Sequence, residues 1–149
     1  MATIKQAKPI KIGLDQKALD KEFFDDIKML SIICPHEPYH FAWHINRTLP
    51  FTFTRTPEQD ILVDNEYYVV YEFKDNNNLI EHYLIASRAK TRFILHELKN
   101  IDFIWMIKGG HLVDKYIKEI PLMMKSIPGV VDCRSIELKS PNQRQVFLL

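Results

Sequence analysis

The chain has 149 residues, 20 Lys and Arg against 19 Asp and Glu, a formal net charge of +1, and 46% hydrophobic residues. This is the size of one ordinary domain with enough apolar material to close a core, which excludes disorder as the main state. The balanced charge argues against an electrostatically driven nucleic-acid binder, and 2 cysteines exclude a disulfide scaffold or a four-cysteine metal cluster.

Near the start, Lys5, Lys8 and Lys11 interrupt every apolar stretch. A secretory signal needs an unbroken apolar run of about 7–15 residues there. No window approaches the ~20 apolar residues of a membrane span. The expectation is a cytoplasmic protein, one domain over 1–149, with Cys34 and Cys133 reduced and packed as small hydrophobes.

In chain order, Pro9–Leu14 alternates and predicts a short edge strand. Leu19–Asp26 is charged and predicts a turn or brief helix. Ile27–Cys34, rich in Ile and Leu and bounded by Pro35, predicts a buried strand. Pro38 suits the first turn of a helix, because its missing N–H costs nothing there. That helix runs to about Thr48, with Phe41, Ala42, Ile45 and Leu49 at core spacing, and Pro50 stops it. Phe51–Arg55 alternates as a strand, and Arg55–Asp64 reads as a polar loop. Tyr67–Phe73 and Leu79–Ser87 form a hairpin around the turn cluster Lys74–Asn78. Arg88–Asn100 is ambiguous between strand and helical turn. Asp102–Ile107 predicts a buried strand broken by Gly109 and Gly110. Residues Leu112 to Ile127 carry a helical apolar pattern, with Pro121 predicting a kink or a second short helix. Pro128 and Gly129 end it. Val130–Leu138 predicts a long strand, and Val146–Leu148 is a candidate for one more.

This order predicts an α+β two-layer sandwich, a mostly antiparallel sheet with two main helices on one face. The stretch from Asp102 to Leu138 is a βαβ crossover, expected to be right-handed.

The sharpest chemical pattern is His36-Glu37-Pro38-Tyr39-His40, which satisfies H-E-x-x-H. In metalloproteases that motif sets two His one turn apart on a helix around zinc, with the Glu activating water. Here Pro38 falls between the histidines and Pro35 just before them. His36 therefore lies at or before the helix cap, and the two imidazoles are not expected to share a helical face. His40 and His44, spaced i and i+4, remain a candidate metal pair, with Cys34, His36 or Glu37 as a third ligand. The competing reading places both at the border of the buried face, beside Phe41 and Ile45. His82, His96 and His111 are assigned nothing.

Gly109-Gly110 lacks the further glycines, Lys and Ser or Thr of a phosphate loop and reads as a tight turn. Arg88, Lys90 and Arg92 form a short basic stretch that could meet RNA, but Glu81, Glu97 and Asp102 lie close in sequence. Asp25-Asp26 and Glu58 with Asp60 lack the apolar setting that would tune a general acid. No catalytic triad, nucleophile elbow or dinucleotide fingerprint is present. Tyr67, Tyr68 and Tyr71 crowd one predicted strand. If helices cover a single face of the sheet, these tyrosines could line an interface on the other.

A layout of motifs extends over most of the chain. It comprises Ile10–Leu14, the strand ending Leu30-Ser31-Ile32-Ile33, the aromatic helix Tyr39–Asn46, the strand Asp102–Gly109, the junction Ile127-Pro128-Gly129-Val130, and a tail from Leu138-Lys139-Ser140 to Phe147. In this it resembles the small bacterial proteins called the IPExxxVDY family, with Val131-Asp132-Cys133 where the naming motif ends in Tyr. The resemblance implies a cytoplasmic bacterial protein. It implies no reaction and no site residues, since the family's function is not established.

The leading expectation is a non-enzymatic protein-interaction module, a homodimer without cofactor, whose interface uses Tyr67, Tyr68 and Tyr71. The alternative is a small metal-dependent or ligand-binding enzyme centred on His36, Glu37, His40 and His44, with Arg47 as an anion contact. A weaker third is an RNA-associated protein using Arg88, Lys90 and Arg92.

Overall fold

The computed structural model describes residues 27–90, 92–109, 113–138 and 146–147. The expectations for Pro9–Leu14, Leu19–Asp26 and Gly110 lie outside these residues. In chain order the elements are β1 (Ile27–Ile33), α1 (Pro38–Thr48), β2 (Thr54–Arg55), β3 (Ile61–Val63), β4 (Glu66–Tyr68), β5 (Val70–Asp75), β6 (Ile80–Ala86), β7 (Phe103–Gly109), α2 (Val113–Met124) and β8 (Asp132–Ile136). Six strands form one sheet in the order β2-β5-β6-β7-β1-β8, and β3 and β4 form a second. Every paired neighbour is antiparallel. The α+β class follows directly from this arrangement.

Alternation of side chains divides the sheet into two apolar faces. Leu30 and Ile32 of β1, Leu84 of β6 and Phe103, Trp105 and Ile107 of β7 enter one core with Phe41, Ala42 and Ile45 of α1 and Val113, Ile120 and Met124 of α2. Both helices therefore cover the same face. Met29, Tyr83, Ile85, Ile104 and Met106 point the other way, where Ile61, Tyr68, Ile94, Leu138 and Phe147 cover them. Burial on both sides explains why the central strands are apolar throughout rather than alternating. β7 and β8 are each antiparallel to β1, hence parallel to one another, and α2 is the connection that carries the chain across β1.

Helix α1 begins at Pro38 with Glu37 as N-cap residue, and the Leu49 N–H closes its end on the Ile45 carbonyl at 2.8 Å. Asn46 ties the helix to the returning chain. Its amide donates to the Phe53 carbonyl and accepts from the Phe53 N–H, both at 2.8 Å. This side chain takes the place of a strand partner. Phe51 and Phe53 are thereby set edge-on to Trp105, each with ring centroids 5.0 Å away.

Several expectations are corrected or resolved. The predicted strand Tyr67–Phe73 divides at Val69, because Asp64 and Asn65, with φ of 50° and 68°, turn β4 back onto β3. Two successive positive φ values suit a tight two-residue hairpin. Much of the predicted loop Arg55–Asp64 is thus structured, and Asp60 organises it. Its carboxylate takes both Arg55 amino groups, at 2.6 and 2.7 Å, and accepts the Val70 N–H at 3.1 Å. The open choice within Arg88–Asn100 resolves to a single bridge, Arg88 to Phe93, followed by a helical turn of 3-10 type at His96–Leu98. Helix α2 runs unbroken through Pro121 and ends at Met124, short of Ile127. Val146 and Phe147 lie in a turn, with Phe147 fully buried.

Candidate metal centre

Pro38 starts α1 because proline's fixed φ suits the first helical position. The stripe of Phe41, Ala42 and Ile45 then turns that face inward. Tyr39, His40, Trp43 and His44 are left on the outer side, with His44 half-buried and the others exposed. His40 and His44 are one turn apart, and their ring centroids lie 4.6 Å apart.

His36 precedes the helix, as Pro38 requires, yet it is not remote. Its ring lies 4.8 Å from that of His40 and 4.9 Å from that of His44. His36 thus lies before the helix cap, as expected, and its ring nonetheless meets those of His40 and His44, as the candidate third ligand would. The chain bends between the end of β1 and the helix, and this bend returns the ring to the helix face. One ligand atom from each of His36, His40 and His44 lies within 4.8 Å of the others. Nitrogen ligands of a tetrahedral ion at ~2.0–2.1 Å stand about 3.3 Å apart. Small side-chain rotations, of about 1 Å at each nitrogen, would close the three onto one ion.

Two fixed points hold the bend. The Cys34 N–H donates to Asp102 Oδ2 at 2.8 Å. His36 Nε2 lies 2.6 Å from the Pro128 carbonyl oxygen. A carbonyl only accepts, so Nε2 carries a proton, and in the neutral ring the lone pair is on Nδ1. Sequence reading missed Pro128 as a partner of the site. The contact spans 92 positions and uses a backbone atom, so residue types carry no sign of it.

The remaining candidates separate from this cluster. Glu37 is exposed at the helix cap, outside the group of three ligands. Cys34 is fully buried, and burial raises its thiol pKa against the lowering effect of the His36 backbone hydrogen bond. Burial, with Asp132 beside it, pushes the Cys133 thiol up to about 12. Neither is the accessible thiolate a metal or an electrophile would need. His44 is shifted the other way. Desolvation lowers its pKa first, and the positive charges of His40, His36 and Arg47 add to this. The neutral, ligating form is favoured as a result.

Arg47 stacks its guanidinium over Trp43 at 5.0 Å. On its other side, His36 borders a cleft of about 610 Å³ that also reaches Arg88, Lys90 and Asp102. Arg88 pairs with Asp102, and Arg92 with Asp64 and Glu66. Two members of the basic stretch are thus already engaged by carboxylates.

The three tyrosines do not make one face. Tyr68 is buried in the second core, Tyr67 is 64% exposed, and Tyr71 packs against the helix-side core under Arg55. Among the described residues, β3, β4 and neighbouring segments pack over the second face, where Tyr68 and Tyr83 are buried.

Three neutral imidazoles would suit a borderline-soft divalent ion and would leave a coordination position for water or an exchangeable ligand. An ion held by His36, His40 and His44 would supply polarisation of a bound oxygen. No protein-family model, curated protein or solved structure matches this chain. The likeness to the IPExxxVDY family rests on sequence layout alone.

Proposed function

We propose that this chain is a binding protein for a divalent transition-metal ion, zinc in the first place, with His36, His40 and His44 as its ligands. The observation that carries this reading is the convergence of three imidazoles from two segments, with ligand atoms within 4.8 Å. The helix N-terminus and Arg47 are both positive, and none of the three ligands is a carboxylate. An ion here therefore favours an anion, such as hydroxide or a carboxylate, in its open position.

The test is native mass spectrometry of the full chain titrated with Zn²⁺ at pH 8. The reading expects one ion per chain, lost in His40→Ala and in His44→Ala. Zinc bound equally by both variants and the wild type, or not bound by the wild type, overturns it.

A further inference from the structure

We infer that the Pro128–Gly129 turn is the outer support of this metal site, holding His36 so that it coordinates through Nδ1. The inference rests on the metal-binding reading and adds residues far from it in sequence. Metal-bound histidines commonly donate their second ring N–H to a carbonyl or carboxylate, which fixes tautomer and ring orientation. His36 has this arrangement already, with Nε2 at 2.6 Å from the Pro128 oxygen. Being outside α1, it needs the support more than His40 and His44, whose backbones the helix holds.

Gly129 makes the contact possible. A Cβ at that position would lie 2.5 Å from His36 Nε2 and 3.1 Å from each adjoining ring carbon. Its φ of +89° is also one that other residues rarely adopt. The turn is held in place by the Val131 N–H, which donates at 2.8 Å to the carbonyl of Ile33, the last residue of β1 and three before His36. The residue that leads into β8 and the end of β1 are thus tied together close to where the third ligand emerges. A side chain at Gly129 would push the imidazole off its carbonyl and away from the other two ligands. Pro128 contributes only a backbone atom, so Gly129 is the positioning residue that mutation can address.

The experiment measures Zn²⁺ affinity by chelator competition at pH 8 for wild type, Gly129→Ala and Gly109→Ala. Gly109 is the control for backbone strain. Its φ is +149° and its Cβ would meet the Leu79 oxygen at 2.8 Å, so alanine is also strained there. The expected loss is about tenfold or more for Gly129→Ala and little or none for Gly109→Ala. In a His36→Ala background, Gly129→Ala is expected to change affinity no further. Nitrogen-15 spectra of the wild type supply a readout independent of any variant's folding. The metal-free protein is expected to carry the His36 proton on Nε2, and added Zn²⁺ to shift Nδ1. Equal zinc affinity of wild type and Gly129→Ala, or coordination through Nε2, overturns this inference and leaves the metal site standing. Failure of the wild type to bind zinc removes both.

Discussion

Trp105 donates its indole N–H to Nδ1 of His82 at 3.0 Å, with both side chains wholly buried. The indole can only donate, so His82 is the neutral tautomer with its proton on Nε2. Among the described residues that Nε2 has no hydrogen-bond partner, and the rings of Phe51, Phe73 and Tyr116 stand 5.0, 5.7 and 5.0 Å from the imidazole. Burial, opposed only by distant Asp75, lowers the pKa from 6.5 to about 4.

Because the folded pKa lies below the unfolded one, the unfolded chain binds the proton first as pH falls. His82 then costs no stability above pH 6.5, and stability falls progressively between pH 6.5 and about 4. The full loss is about 3 kcal/mol. Urea unfolding across this range should show the decline in the wild type and a smaller one in His82→Gln, which keeps an acceptor but cannot titrate. Equal pH dependence in both would remove His82 as the cause.

Asn46 satisfies two backbone groups of Phe53. Replacing it by Ala leaves a half-buried N–H and C=O without partners and frees the chain that carries Phe51 and Phe53. The expected cost in denaturant unfolding is about 1–3 kcal/mol. A change under a few tenths would mean that water replaces the amide.

The β3–β4 hairpin depends on left-handed conformations at Asp64 and Asn65. Glycine suits such a position better than any other residue. Asn65→Gly is expected to leave the melting temperature unchanged or raise it slightly, whereas Asn65→Val should lower stability by about 1 kcal/mol or more. The reverse order would show that the turn relaxes to another type.

Both thiols should be inert in the folded protein. Cys34 is fully buried, and the Cys133 thiol has a pKa of about 12. An aromatic disulfide reagent at pH 8 should react with them only after denaturant is added. Rapid reaction of the native protein would contradict the burial of Cys34 or the raised pKa of the half-buried Cys133.

What could be read from residue order follows the range of the interactions involved. Helix α1 is legible because its signals are local: Pro38 at the start, Phe41, Ala42 and Ile45 at helical spacing, and Pro50 at the stop. The β5–β6 hairpin is legible for the same reason, with Asp75 receiving the N–H groups of Asn77 and Asn78 in the turn. The β3–β4 hairpin had a local signal that the polar reading of Arg55–Asp64 passed over. Asp-Asn between Ile61-Leu62-Val63 and Glu66-Tyr67-Tyr68 is a two-residue turn flanked by strand formers. The site was half legible. The spacing of His40 and His44 pairs them, but the argument that excluded His36 from their helix said nothing of where a ring outside it would go. That is settled by Pro128, Gly129 and Asp102, which no local pattern connects to position 36.

The most direct test of the metal centre is X-ray absorption at the zinc edge on the full chain loaded with one equivalent of Zn²⁺. The account predicts a first shell of nitrogen and oxygen at ~2.0–2.1 Å, with the multiple scattering of three imidazoles and no sulfur. A sulfur shell near ~2.3 Å, or fewer than three imidazoles, would contradict the ligand set of His36, His40 and His44.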